Sequence, residues 1–215
     1  MLITELSVYK GETWKLVLDG DRNQTYFMNA SVVERFSLKK GQELCGDALS
    51  EVMAADNVRK AKRRALYLLG EREYASRELY KKLRQSYGEE AAQKAVDYVT
   101  ELGYLNDEEY APKLADYLIR TKRFGKRKAR YEMLRRGLSP QLVDNTLEDI
   151  GDDEIDEEIT ALLERKYSEK IRDFSDRQRT IAAFARRGYD YRAVKRCIER
   201  LLEDYEDIEE DFDEQ

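Results

Sequence analysis

The stretch LRRG at residues 134–137 recurs as ARRG at residues 185–188, an offset of 51. At the same offset Met133 meets Phe184, Val143 meets Val194, Leu147 meets Ile198 and Ile150 meets Leu201. A looser copy surrounds Gly88, with Ala95, Val99 and Leu102 in matching places. Each copy carries helix-spaced apolar residues and a glycine that can end a helix by taking φ > 0. A unit this short buries a core poorly by itself, so stacked neighbours must complete it.

The repeat predicts a mainly α chain with three tandem three-helix units, at residues 57–105, 106–151 and 152–205, in an elongated array. Ahead of them, residues 1–56 form a small β-rich module with short helices. The segments ITELSVYK, TWKLVLDG and QTYFMN carry β-branched and aromatic residues. Gly11-Glu12 separates the first two, and Asp19-Gly20-Asp21 the last two, which predicts hairpins and three strands. Leu16 and Leu18 alternate with Lys15 and Val17, so one face can be buried. Asn29 or Ser31 caps a short helix to Phe36, and Gly46-Asp47 opens another. Three strands stand poorly alone, so the module must pack on the helices C-terminal to it.

In the first unit, residues 57–69 form a basic helix with Val58, Ala61, Ala65, Leu68 and Leu69 on one side. Ser76 caps a second helix, with Leu79, Leu83 and Tyr87 on one face, and Gly88 ends it. A third helix then carries Ala92, Ala95, Val96, Val99 and Leu102. In the last unit the stripes are Ile155, Ile159, Leu162 and Leu163, then Ile181, Ala182 and Phe184, then Val194, Ile198, Leu201 and Leu202.

Between them lies GYLNDEEYAPKLADYLIRTKRFGKRKARYEMLRRGL, residues 103–138. Gly103 suits a helix end. Asn106 or Asp107 caps the next helix, and Asp107, Glu108 and Glu109 suit its positive end. That position accounts for the three acids without a metal ion. Tyr110, Leu114, Tyr117, Leu118 and Thr121 fall on one helical face, with Pro112 in conflict near the start. Then come Arg120, Lys122, Arg123, Lys126, Arg127, Lys128 and Arg130, seven cations with no acid among residues 120–130. Gly125 breaks the run, Ala129 and Met133 anchor the following helix, and Gly137 ends it.

Two readings of the basic run stay open. It is a phosphate-binding surface, or it is a solvated turn with Lys128 facing Glu132. Arg135-Arg136 and Arg186-Arg187 likewise form a basic stripe or complement helix C-termini. The tyrosines Tyr110, Tyr117 and Tyr131 are spaced as packing residues, although base-stacking platforms also use aromatics.

The order GYLND-E-YA, basic run with Gly125, ML-RRGL, together with ALYLLGEREYASRELYKKL at residues 65–83, resembles the RecX family of recombinase regulators. The resemblance spans residues 61–150, and the repeat extends it toward Leu202. It implies a regulatory protein, not an enzyme, that binds the RecA recombinase filament on single-stranded DNA. The family lowers RecA ATPase and strand exchange, which places it in DNA repair, homologous recombination and the SOS response. On that implication Arg120, Lys122, Arg123, Lys126, Arg127, Lys128, Arg130, Arg135 and Arg136 are the partner- and DNA-binding candidates. An alternative is a stand-alone nucleic-acid-binding helical-repeat module without a recombinase partner. A metal-dependent nuclease is a remoter one.

Composition narrows the chemistry. With no histidine there is no Ser/His or Cys/His pair and no usual general base. Cys45 and Cys197 are isolated, which fits two reduced structural thiols, and no cofactor or metal is implied. No apolar run spans a bilayer, so a cytoplasmic monomer without a membrane partner is expected. Net charge is −6, but residues 57–202 hold 33 basic and 27 acidic residues, while residues 203–215 hold nine acids and no base. A mildly basic body thus precedes an acidic tail, residues 206–215, expected to be disordered.

Overall fold

The computed structural model describes residues 1–213, with side chains described through Tyr205. These residues form two compact units. One comprises residues 1–73 and 78–105, the other residues 74–77 and 106–215.

The first unit opens with an antiparallel sheet in the order β1 (Ile3–Lys10), β2 (Thr13–Leu18), β3 (Thr25–Asn29). Register is set by Ser7 opposite Lys15, Val8 opposite Trp14 and Lys15 opposite Phe27. One face packs Leu16, Leu18 and Met28 against Val32 and Val33 of α1 (Ala30–Arg35) and Val52 of α2 (Gly46–Glu71). Val17, expected on the open face, is also buried. Asn29 caps α1, its side chain accepting from the Ser31 N–H.

The short helix expected after Gly46 and the basic helix expected at residues 57–69 are one 26-residue helix, α2. Nothing between them breaks helical geometry: residues 47–69 contain neither Gly nor Pro. Its Asp56, buried within the fold, accepts from the Asn29 N–H at 3.3 Å and pairs with Lys60 at 2.6 Å, tying β3 to the helix. Ala61, Ala65 and Leu68 face the core.

The next helix, α3 (Ser76–Glu101), is two helices joined at Gly88, whose φ of 78° and ψ of 176° are not helical. Leu79 and Leu83 are buried in its first half; Ala92, Ala95, Val96 and Val99 in its second. Leu102 lies beyond the helix end, in the turn closed by Gly103, and is 48% exposed instead of joining the stripe.

The second unit contains α4 (Asp107–Asp116), α5 (Lys126–Arg135), α6 (Pro140–Glu148), α7 (Asp152–Arg172), α8 (Phe174–Arg186) and α9 (Tyr191–Asp213). Asn106 caps α4, accepting from the N–H groups of Glu108 and Glu109. Asp107 instead accepts from the Ser76 N–H at 2.8 Å, so the start of α3 is capped by a carboxylate 31 residues away rather than by the Ser76 hydroxyl. Tyr110, Leu114, Met133, Val143, Ile159, Phe184, Val194 and Ile198 belong to one continuous core. Residues 106–151 and 152–205 therefore complete each other's interior. Thr180, Ile181 and Phe184 form the buried face of α8, and Ala182 points outward. Cys197 is buried and Cys45 exposed, both as free thiols.

The α4 helix runs on into a π-helical turn, Tyr117–Thr121, in which the Lys122 N–H reaches the Tyr117 carbonyl at 3.0 Å. The wider turn rotates the residues within and after it, so Ile119 is buried with Leu118 while Thr121 leaves the face; Tyr117, at the first position of the turn, lies at the edge of the Tyr110/Leu114/Leu118 face and is partly exposed. The mobility expected of residues 206–215 falls where side chains lie outside the described residues.

Two glycines bring α5 to the α8–α9 turn. A Cβ on Gly125 would lie 2.3 Å from the Gly188 carbonyl oxygen, and one on Gly188 would lie 2.4 Å from the Lys128 nitrogen. Gly125 has an ordinary φ of −73°, so its requirement is contact alone. Gly125→Ala should cost about 1–3 kcal/mol by overpacking, read as a lower denaturation midpoint. Gly11 has a φ of 55° but nothing within 4 Å of its Cβ position. Gly11→Ala should cost only the left-handed penalty, about 1–2 kcal/mol, and should disturb no helix contact. Leu83 is 1% exposed and Leu102 is 48% exposed. Leu83→Ala should therefore cost about 2–5 kcal/mol, and Leu102→Ala within about 0.5 kcal/mol of zero, in the same denaturation experiment.

Candidate functional site

The seven-cation run occupies the π turn, the loop at Gly125 and the first turns of α5. The local sequence lacks acids there, but the fold supplies them. Arg120 pairs with Asp116 at 2.7 Å and with Glu154 at 2.7 Å. Arg123, in the left-handed region at φ 55°, is held by an ion pair to Glu158. The Lys126 ammonium donates to the Ile150 carbonyl at 2.6 Å and to Asp152 at 3.1 Å. Arg130 grips Asp144 with both arms, at 2.6 and 3.1 Å. That hydrogen bond holds the Asp144 carboxyl below its ordinary range.

The remaining candidates have other partners. Lys122 lies over the Tyr117 ring and Lys128 over the Phe124 ring, 5.3 and 4.3 Å from the centroids. Arg127 makes a 3.4 Å contact to the Tyr189 carbonyl. Arg135 pairs with Glu132 on its own helix at 2.7 Å, and Arg136 donates to the Tyr110 hydroxyl at 2.7 Å. Among the described residues, Lys122, Arg127, Lys128 and Arg136 have no carboxylate partner. Lys122 and Arg127 are also exposed.

The two Arg-Arg pairs serve the repeat differently. Arg187, at the place of Arg136, donates through Nε to the Arg123 carbonyl at 3.2 Å and through its terminal nitrogen to the Lys122 carbonyl at 3.5 Å. It satisfies carbonyls left open at the end of the π turn. Its own carbonyl accepts from the Gly125 N–H at 2.9 Å. Of the tyrosines, Tyr110 is buried, Tyr117 is 39% exposed and Tyr131 is 64% exposed. Tyr131 is thus free of the packing role that its spacing suggested.

Apart from Asp116 and Glu132, which lie one turn from Arg120 and Arg135, the acidic partners were missed because they come from other helices. A signal was present: residues 152–158 hold six acids, a run opposite in sign to residues 120–130. Three of those acids, Asp152, Glu154 and Glu158, pair with the basic run. A 160 Å³ cleft beside this network is floored by Pro112, Ala115, Ile119 and Ile150 and edged by Arg120 and Glu154. Among the described residues no group of three or more Cys, Asp or Glu is arranged to hold a metal ion, and no helix is long and apolar enough to cross a membrane.

Comparison with known proteins adds the family. Residues 106–147 match the model of the second three-helix domain of RecX. Regulatory protein RecX of Chlorobium phaeobacteroides is 30% identical over 151 residues, covering 70% of this chain and 99% of the relative. Regulatory protein RecX of Clostridium perfringens is 24% identical over 204 residues, covering 93% and 95%. A crystal structure of regulatory protein RecX superposes with a TM-score of 0.65 at 20% identity, over 90% of this chain and 97% of that one. That of RecX from Lactobacillus salivarius gives 0.63 at 19% identity, over 68% and 97%. These structures share the fold; the sequence relatives carry the kinship, and the chain belongs to the RecX family of regulatory proteins.

Proposed function

We propose that this protein regulates the RecA recombinase by binding its filament on single-stranded DNA and lowering its ATPase and strand-exchange activity. It acts as a cytoplasmic monomer in homologous recombination and DNA repair. The observation that carries this reading is membership of the RecX family. Residues 106–151 and 152–205, which share one core, offer two related helical surfaces to a repeated partner.

The surface turned to the filament centres on Lys122, Arg127 and Lys128. Arg120, Arg123, Lys126, Arg130 and Arg135 contribute less, because each already holds a carboxylate of this chain. Removing Lys126 or Arg130 would disturb the contacts between helices as well as any partner contact. Replacing Lys122, Arg127 and Lys128 together by Ala leaves those ion pairs whole.

The triple replacement should raise the concentration needed to inhibit DNA-dependent recombinase ATPase by about tenfold, from three contacts of about 0.5 kcal/mol each. The same triple change loses two ring contacts and the Tyr189 carbonyl contact, so it should lower the denaturation midpoint only modestly and leave the chain folded. Full inhibition by the folded variant would remove this turn from the interface. Inhibition lost only with recombinase present assigns the three cations to the recombinase. A parallel loss of affinity for bare single strands assigns them to phosphate, with a log–log salt slope reduced by about 0.7 per contact.

A further inference from the structure

The basic run of α2 plays no part in that reading, although residues 57–70 hold five cations and no acid. Here the fold does not supply carboxylates to all of them. Lys60 is held by Asp56, and Arg59 approaches Glu12 at 3.8 Å. Arg63 and Arg64 are exposed and have no carboxylate partner among the described residues. Lys60, Arg63, Arg64 and Tyr67 stand at i, i+3, i+4 and i+7, one face of the helix. The Arg64 guanidinium lies 5.0 Å from the centre of the Tyr67 ring, and that ring is 57% exposed.

At the other end of the stripe, the Lys60 ammonium reaches the Phe27 carbonyl of β3 at 3.3 Å. Phe27 shows its ring on the sheet face opposite the core. The ring packs against Tyr9 at a tilt of 59°, with centroids 4.8 Å apart. Tyr9 is 64% exposed and Phe27 is 42% exposed. Exposed aromatic rings thus lie at both ends of a stripe whose two guanidinium groups, Arg63 and Arg64, have no carboxylate partner among the described residues, all within the first unit.

We propose that this surface binds single-stranded DNA directly, without the recombinase. Arg63 and Arg64 neutralise phosphates, and the Tyr67 and Tyr9–Phe27 rings receive unstacked bases. Exposed rings have nothing to stack on in a duplex, whose bases already cover one another, whereas every single-stranded base offers a free face. The charge matches as well, since guanidinium forks fit phosphate oxygens. The choice of DNA over RNA rests on the regulatory reading above; the surface itself does not.

The test is fluorescence anisotropy of labelled oligothymidylate with the full chain and no recombinase, across a range of salt. The unchanged chain should bind at low salt. R63A/R64A should weaken binding and lower the log–log salt slope by about 1.4, two phosphates at about 0.7 each. R63K/R64K should restore most of the slope. Tyr67→Ala should weaken binding about five- to 150-fold with the slope unchanged, the signature of lost stacking. Lys94→Ala, whose ammonium is paired with Glu90 at 2.6 Å, is the neutral control. The inference is overturned by absence of binding at low salt, by R63A/R64A binding as tightly as the parent, by equal or tighter binding to a duplex, or by tighter binding to RNA than to DNA. No recombinase enters this assay. Failure here with ATPase inhibition intact leaves the regulatory function standing, and binding here without inhibition overturns that function alone.

Discussion

The second unit depends on one close backbone contact, that of Gly125 with Gly188. Gly125 opens α5 and has no side chain to cap it, so the first N–H groups of the helix need partners from elsewhere. The Arg127 N–H takes the Gly188 carbonyl at 3.2 Å, and the Gly125 N–H takes the Arg187 carbonyl at 2.9 Å. The α8–α9 turn thereby caps α5, which is possible only where both chains lack a Cβ. Arg187 then reaches back to the carbonyls of Lys122 and Arg123. A helix end in residues 106–151 and a helix end in residues 152–205 satisfy one another. The repeat is held together by polar backbone groups at its rim as well as by the shared core.

That contact also explains the charge arrangement. It brings the cations of residues 120–130 beside the acidic start of α7, where Asp152, Glu154 and Glu158 stand. Acids in a first helical turn already complement the helix N-terminus, and here they serve the basic run as well. Each exposed pair contributes only about 0–1 kcal/mol. The larger effect is one of access: a carboxylate within 3 or 4 Å competes with any incoming phosphate for the same cation. Sequence density of lysine and arginine is therefore a poor guide to a binding surface, and tertiary pairing decides which cations remain available.

Much of the fold was legible because it rests on local chemistry. The three strands, the Asn29 and Asn106 caps, the glycine ends at Gly88, Gly103 and Gly137, and the paired core positions Met133/Phe184 and Val143/Val194 come from patterns a few residues long. The misreadings arise where a distant group intervenes or the helical period changes. The π turn moved Thr121 off the buried face, and nothing in YLIRT announces a five-residue turn. Asp107 capped α3 instead of its own helix, a contact that chain order does not reveal. For the candidate site, composition marked the cations but not their partners, since Asp144 and Glu158 lie 14 and 35 residues beyond Arg130 and Arg123.

A net charge of −6 would ordinarily argue against a nucleic-acid partner. The argument weakens once distance is considered. Screening at physiological salt confines an exposed charge's influence to about 8 Å. A phosphate approaching α2 therefore responds to the charges around it and little to acids elsewhere on the chain. The five cations of residues 57–70 all stand between Arg59 and Arg64, along about 8 Å of helix, so they act together within one screening length. Three of them, Lys62, Arg63 and Arg64, carry no internal carboxylate among the described residues, and Arg63 and Arg64 are exposed. The field that matters to a strand at that surface is local and positive, whatever the sign of the whole. By the same reasoning the basic run at residues 120–130, denser in sequence, presents a weaker field because its carboxylates lie well inside the screening length.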